Sequence, residues 1–343
     1  MRHEPAAAVG GSTCHFAPPP TPTPLTTTQD QACVLKERLS ALLPGVSLFL
    51  DIDDLDQAGG LRALEDVIGQ SHALLIMLTD GYFSSKNCRR EVRAALRRGL
   101  PLILVHDTDP SHGGLPLEAL RMQCPQSKRD EIFSSPIIEW HRMKEFQLVS
   151  LRLIGEHLIR PLLPLSSRLR GTYGDALDTE PGVLYVSGEL SLQRLLVPAV
   201  ISFSRHNLGV EELISELHAA GEQAASAADS EECFLLLLDG RTQLTAGSAV
   251  EADVLAALDS SQKVVVAYDP SVPFRDCIAL TSDDLLGRGI FDELAVPLHQ
   301  SEHREVSLRL IALKLQPPQT SKLSSCVAAC RKAIGLRAVP TVP

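Results

Sequence analysis

Residues 72–96, HALLIMLTDGYFSSKNCRREVRAAL, decide the fold. Leu74–Leu78 is an unbroken apolar run of strand length, as expected of a strand covered on both faces in a parallel sheet. Thr79-Asp80-Gly81 supplies a turn. From about Ser85 to Arg98 the apolar residues Val92, Ala95 and Leu96 recur at helical spacing, and Gly99 is a stop signal. The stretch therefore reads as strand, turn and helix, with one carboxylate, Glu91, near the start of the helix.

A related stretch, CFLLLLDGRTQLTAGSAVEADVLAAL, runs from Cys233 to Leu258. Asp80-Gly81 returns as Asp239-Gly240, EVRAAL at Glu91 as DVLAAL at Asp253, and VSLRLI at Val149 unchanged at Val306. These matches keep their order and fall on corresponding elements, which makes the chain a tandem duplication.

Outward from the opening stretch, the pattern stays regular. Val34, Leu35, Leu39, Leu42 and Leu43 predict a helix that ends at Pro44-Gly45. Val46–Asp51 predicts a short strand, and the loop DIDDLDQAGG follows, before a helix carrying Leu61, Leu64, Val67 and Ile68. Pro101–Asp107 predicts a buried strand, Leu117–Met122 a weak helix, Pro136–His141 a strand, and Lys144 to about Leu162 a long helix. Alternation of helix and strand implies a parallel sheet with helices on both faces, a flavodoxin-like doubly wound α/β fold. Either Thr13–Phe16 supplies a poor first strand, or that strand is absent.

Five segments follow from this pattern. Residues 1–30, with PPPTPTP at Pro18–Pro24, are expected to be a disordered Pro/Thr-rich tail. Residues 31–164 form the first domain, 165–181 a linker, 182–316 the second domain, and 317–343 a C-terminal tail. In the second domain Gly182–Gly188 is expected as a first strand, Leu192–Ser204 as a helix interrupted by Pro198, and Val210–Ala219 as a helix. Cys233–Gly240 and Lys263–Asp269 predict strands, Val250–Leu258 a helix, Gly289–Leu294 a short strand, and Glu305–Leu315 a helix.

The 343 residues carry a net charge of −10, which argues against broad binding to nucleic acid or anionic membranes, although local basic patches are compatible with it. The eight cysteines are scattered, without a CxxC pair or a Cys/His cluster at zinc spacing, so no metal site is expected. Their scatter suits a reducing compartment. The N-terminus lacks the apolar core of a secretory signal, and Leu192–Phe203 is too short and interrupted to span a bilayer. A soluble cytoplasmic chain without a transmembrane segment is the expectation.

FLDIDDL with its following helix, LLIMLTDGYFSSKNCRREV and PLILVHD together resemble the Toll/interleukin-1 receptor (TIR) family, most closely the TIR-like domains of unicellular eukaryotes. The resemblance covers roughly Gln31–Leu162 and, more faintly, Gly182–Leu315. Its most specific part is Tyr82, Ser84, Ser85, Cys88 and Glu91, close to the family's Y-x-x-S-x-W-C-x-x-E. Asn87 stands where tryptophan is usual, and the family's first-strand signature is missing.

The resemblance implies one of two functions. One is an intracellular signalling module that acts through self-association or binding to other TIR domains. The other is an NAD glycohydrolase that cleaves the nicotinamide–ribose bond, with NAD as substrate and no cofactor. Glu91 matches the family's catalytic glutamate. The loop flanking the pocket would supply Asp53, Asp54, Leu55, Gly59 and Gly60, and the motif would supply Tyr82, Ser84 and Cys88.

A carboxylate at the Glu91 position can stabilise an oxocarbenium-like ribose or bind ribose hydroxyls. It can equally be a helix N-terminal glutamate favoured by the helix dipole. In the second copy Asp253 aligns with it, one methylene shorter and without the flanking Tyr, Ser and Cys, so that copy reads as degenerate. Asp51, Asp53, Asp54, Asp56 and Asp80 resemble a phospho-receiver's Mg²⁺ pocket, but the required lysine is missing after IIEWH. Arg89, Arg93 and Arg97 line one helical face, as a solvated stripe or a partner-binding one. Trp140 reads as core. Cys326 and Cys330, beside basic residues, read as part of the tail.

Overall fold

The structure is a computed structural model that describes residues 12–17, 27–50, 67–109, 113–160, 184–190, 196–223 and 233–316. The chain divides into two compact units between Glu189 and Leu190.

The first unit has five parallel strands: β1 Ser12–Ala17, β2 Val46–Leu50, β3 Ser71–Leu78, β4 Leu102–Asp107 and β5 Ile137–Trp140. Their order across the sheet is β2-β1-β3-β4-β5. It is an α/β fold with a flavodoxin-like strand order.

Residues 12–17 lie inside the stretch that composition assigns to a disordered tail, yet they form the first strand, the alternative offered for Thr13–Phe16, as an interior strand paired with β2 on one side and β3 on the other. The first helix, Thr27–Leu42, also begins within that stretch. STCHFA carries no strong apolar pattern, because a strand bonded along both edges is held by its backbone partners as much as by its side chains.

β3 explains why the opening stretch reads as it does. Ala73, Leu75 and Met77 point to one core and Leu74, Ile76 and Leu78 to the other, in the two-residue alternation of a strand. The first core is closed by helices Thr27–Leu42 and Lys144–Ile159, through Leu35, Leu39 and Ile154. The second is closed by helices Lys86–Arg97 and Gln126–Phe133, through Val92, Ala95 and Ile132. Each leucine buried this way contributes about 1.5–3 kcal/mol relative to exposure. Trp140 belongs to the first core, and its indole N–H donates to Gln31 Oε1 at 3.0 Å.

Residues 184–188, expected within the second domain's first strand, are not a strand. They belong to the first unit: Val186 enters its core, Leu184 N donates to Glu156 Oε1 at 3.3 Å, and Arg152 pairs with Glu189 at 2.8 Å. Only where an extended run is given a sheet partner does it become a strand.

In the second unit, β6 Leu196–Val197 pairs with β7 Glu222–Gln223, while β8 Cys233–Leu238, β9 Lys263–Tyr268 and β10 Val296–Pro297 form the order β10-β9-β8. Among the described residues a parallel bridge, Ser202 to Phe234, joins the segment after β6 to β8. The combined order, β7-β6-β8-β9-β10, repeats that of the first unit. Leu192–Ser204 is therefore no helix where it is described. Pro198 lacks an N–H and interrupts any helix there, and the segment runs alongside β8 instead. The last strand lies at Val296–Pro297 rather than within 289–294, where turns stand. Helices Val210–Ala220, Ala249–Asp259 and Arg304–Leu315 agree with expectation.

Among the described residues, no helix is long and apolar enough to cross a membrane.

Candidate functional site

In a sheet ordered 2-1-3-4-5, neighbouring connections leave β1 and β3 in opposite directions, and the crevice beyond their carboxyl ends is the usual ligand position. The turn after β3 enters that region. Gly81 adopts φ 78°, a left-handed conformation that favours glycine, and a 3-10 turn, Tyr82–Ser84, follows. Ser85 caps helix Lys86–Arg97, accepting from Cys88 N at 3.3 Å. Gln123 fixes the turn from outside: Gly81 N donates to its Oε1 at 3.2 Å, and its Nε2 donates to Asp80 Oδ1 at 2.8 Å.

This scaffold brings three expected site residues together. Tyr82, Cys88 and Glu91 are all buried, Glu91 being only 1% exposed. Burial raises the Tyr82 phenol well above its ordinary pKa, and the nearby Cys88 and Glu91 raise it further. The phenol is therefore a neutral donor. Among the described residues its buried hydroxyl has no hydrogen-bond partner, nor does that of Thr79 at the end of β3. Two such orphaned hydroxyls in one turn are unusual, since buried polar groups are normally paired.

Ser84 does not join them; it is exposed on the 3-10 turn, and its neighbour Ser85 performs the capping. Asp53, Asp54, Leu55, Gly59 and Gly60 lie outside the described residues, as do Asp51, Asp56, Cys326 and Cys330. Asp80, suggested as a receiver-like ligand, is engaged by Gln123. Thr79 was not singled out in the sequence, where a threonine closing an apolar strand carries no distinctive signal.

Arg89 and Arg93 lie on the outer side of the same helix. They border a groove of about 300 Å³ between helices Lys86–Arg97 and Gln126–Phe133, together with Lys128. Val92, Leu96 and Ile132 supply its apolar wall.

The second unit treats its acids differently. Glu251 serves helix Ala249–Asp259, whose cap Ser248 accepts from Glu251 N at 3.2 Å while the glutamate's Oε2 accepts from Gly247 N at 2.5 Å. Asp253, the counterpart of Glu91, accepts from Ser204 Oγ at 2.6 Å. It lines an open cavity of about 430 Å³ with Arg205, His206 and Phe234.

No protein-family model matches the chain, and no curated protein does. Solved structures match at low identity. A conserved protein from Enterococcus faecalis V583 is 14% identical at a TM-score of 0.29, over 43% of this chain and 98% of its own. A diflavin flavoprotein A3 from Nostoc sp. is 13% identical at 0.28, over 47% and 96%. The TIR domains of the activated Roq1 resistosome, directly recognising the pathogen effector XopQ, are 20% identical at 0.25, over 47% and 90%.

Proposed function

We propose that the chain is a signalling module whose TIR-like units act by self-association or by binding other TIR-like domains. The burial of Glu91 supports this reading. At 1% exposure its carboxylate is closed to solvent, whereas hydrolysis requires both substrate and water to reach it. The outer face of the same helix offers an open groove with cationic and apolar walls, the mixed character of a protein-binding surface. Analytical ultracentrifugation across a concentration series tests the reading. Growth in mean mass supports it, and a constant monomer mass together with no binding to TIR-domain partners overturns it.

A second reading, NAD glycohydrolase, is favoured by the orphaned Tyr82 hydroxyl near Glu91 and that of Thr79 at the end of β3. Two unspent hydrogen-bonding groups there suit the hydroxyls of a ribose. Glu91 would stabilise the oxocarbenium character of C1′ as the C1′–N bond breaks and its electron pair returns to nicotinamide. Water then bonds to C1′ and releases a proton. Purified chain and its Glu91→Gln variant, each incubated with NAD, decide it. Nicotinamide release that the variant loses supports hydrolysis; no release, or release that persists in the variant, excludes it.

A further inference from the structure

The groove beside helix Lys86–Arg97 is cationic in a chain whose net charge is −10. Arg89 and Arg93 each donate Nε to a backbone carbonyl, those of Ser85 at 3.3 Å and Arg89 at 3.0 Å. Neither makes an ion pair among the described residues. Lys128 is already paired with Glu131 at 2.7 Å, so the two arginines are the charges left to meet a partner. The partly exposed Leu96 and Pro125 in the groove's lining ask for apolar side chains on that partner, and the arginines ask for carboxylates.

The second unit displays that combination in one segment. Between β9 and β10 the helices Phe274–Ala279 and Asp283–Gly287 expose Ile278, Leu280 and Leu286, with Leu280 at 59%. Exposed large apolar residues gathered in so short a stretch mark an interaction surface more than singly scattered ones do. Asp283 and Asp284 stand exposed at the start of the second of these helices, without an ion-pair partner among the described residues. The arginines nearby are offset: Arg275 faces Asp276 at 3.6 Å, and Arg288 pairs with Asp259. The local surplus is therefore acidic.

We infer that the arginine-rimmed groove of one molecule receives the acidic, leucine-bearing face of helices Phe274–Ala279 and Asp283–Gly287 in a second copy of the chain. This rests on the self-association reading and names its surfaces. The two faces are different, so the contact is heterologous: each molecule keeps one unused groove and one unused acidic face, and assembly continues head to tail unless a ring closes.

The experiment uses full-length chains, wild type, Arg89→Glu/Arg93→Glu and Asp283→Lys/Asp284→Lys, compared by sedimentation at matched concentrations. All four positions are at least partly exposed, and equal circular dichroism and melting confirm folding; Arg89→Gln/Arg93→Gln is the milder alternative where they differ. Wild type is expected to grow in mass with concentration and to lose association in high salt. Each double variant is expected to associate about tenfold more weakly or less. An equimolar mixture of the two restores charge complementarity at both contacts, the native groove with the native acidic face and the reversed groove with the reversed face, and is expected to regain growth in mass with concentration. Wild-type association that both variants retain, or a mixture that remains monomeric, overturns this pairing while leaving self-association standing. A monomeric wild type overturns both.

Discussion

Ser204 donates its hydroxyl hydrogen to Asp253 Oδ2 at 2.6 Å, so the carboxylate that stands in the second unit where Glu91 stands in the first is tied to the segment after β6. The same Oγ accepts from His206 N at 3.2 Å, and Ser204 is buried. Ser204→Ala removes both bonds at once. It is expected to lower the stability of the second unit by about 1 kcal/mol, the usual worth of such a bond with a partly exposed carboxylate, measured by urea denaturation. A variant as stable as wild type would show that water replaces the serine without cost.

Tyr82→Phe is expected to act in the opposite direction. The phenol hydroxyl is fully buried without a partner among the described residues, so deleting it removes a desolvated group and keeps the ring against Phe83, 5.2 Å away and edge-on. Stability of the first unit should rise by about 1 kcal/mol, seen as a higher melting temperature. A fall instead would mean that the hydroxyl has a partner in solution.

His157, in the last turn of helix Lys144–Ile159, has its pKa lowered first by burial and then by Arg160, with Glu156 opposing. The folded state therefore resists its protonation more than the unfolded state does. Its contribution to stability is fully present above the ordinary histidine value of 6.5 and is lost as pH falls from there through the lower folded value. Comparing wild type with His157→Gln by chemical denaturation at several pH values isolates the effect. The variant should lose less stability on acidification, and parallel curves would contradict the assignment.

Gly114→Ala should be severe. A Cβ there would meet Asp107 O at 2.4 Å and Asp109 N at 2.6 Å, both backbone atoms that cannot rotate away. Next to it, Gly113 O accepts from Asp80 N at 2.8 Å, so displacement of this loop reaches the turn that carries Tyr82. We expect a loss of about 2 kcal/mol, measured by thermal or chemical denaturation. The response of the first unit should also be visible in the near-ultraviolet signal of Tyr82.

Much of the architecture was legible because β3 and β8 are covered on both faces, so neither has a polar side to interrupt the apolar run. The strands that the sequence leaves undecided or unmarked are those whose identity depends on partners. Ser12–Ala17 is mixed in composition, so Thr13–Phe16 reads only as a possible poor strand, and β6, β7 and β10 have two residues each. A register of backbone bonds to neighbours far along the chain leaves little trace in local composition. Gly182–Gly188 failed for the converse reason: a strand-like composition received no sheet partner, and Val186 was drawn into the core of the preceding unit.

At the site, the motif identified Tyr82, Cys88 and Glu91 as neighbours, because positions 88 and 91 share a helix face and the 3-10 turn folds Tyr82 back beneath them. Ser84 and Ser85 could not be told apart by type. Which of two adjacent serines caps a helix depends on where the turn ends, and the turn ends after Ser84. Thr79 became visible only through its lack of a partner, a property of the surrounding atoms rather than of the residue.

The Ser202–Phe234 bridge marks a seam in the second unit. Ser202 N donates to Cys233 O at 2.9 Å and Leu235 N to Ser202 O at 2.8 Å, and among the described residues these are the backbone–backbone bonds from the β6 segment to β8; Asn207 adds side-chain bonds to Leu237. In the first unit the corresponding seam, β1 with β3, is paired over Thr13–Ala17. In the second unit the seam is instead held largely by side chains, Asn207 on Leu237 and Val197 and Ile201 in the core shared with β8, so that two copies with the same strand order entrust the same join to different parts of the residue.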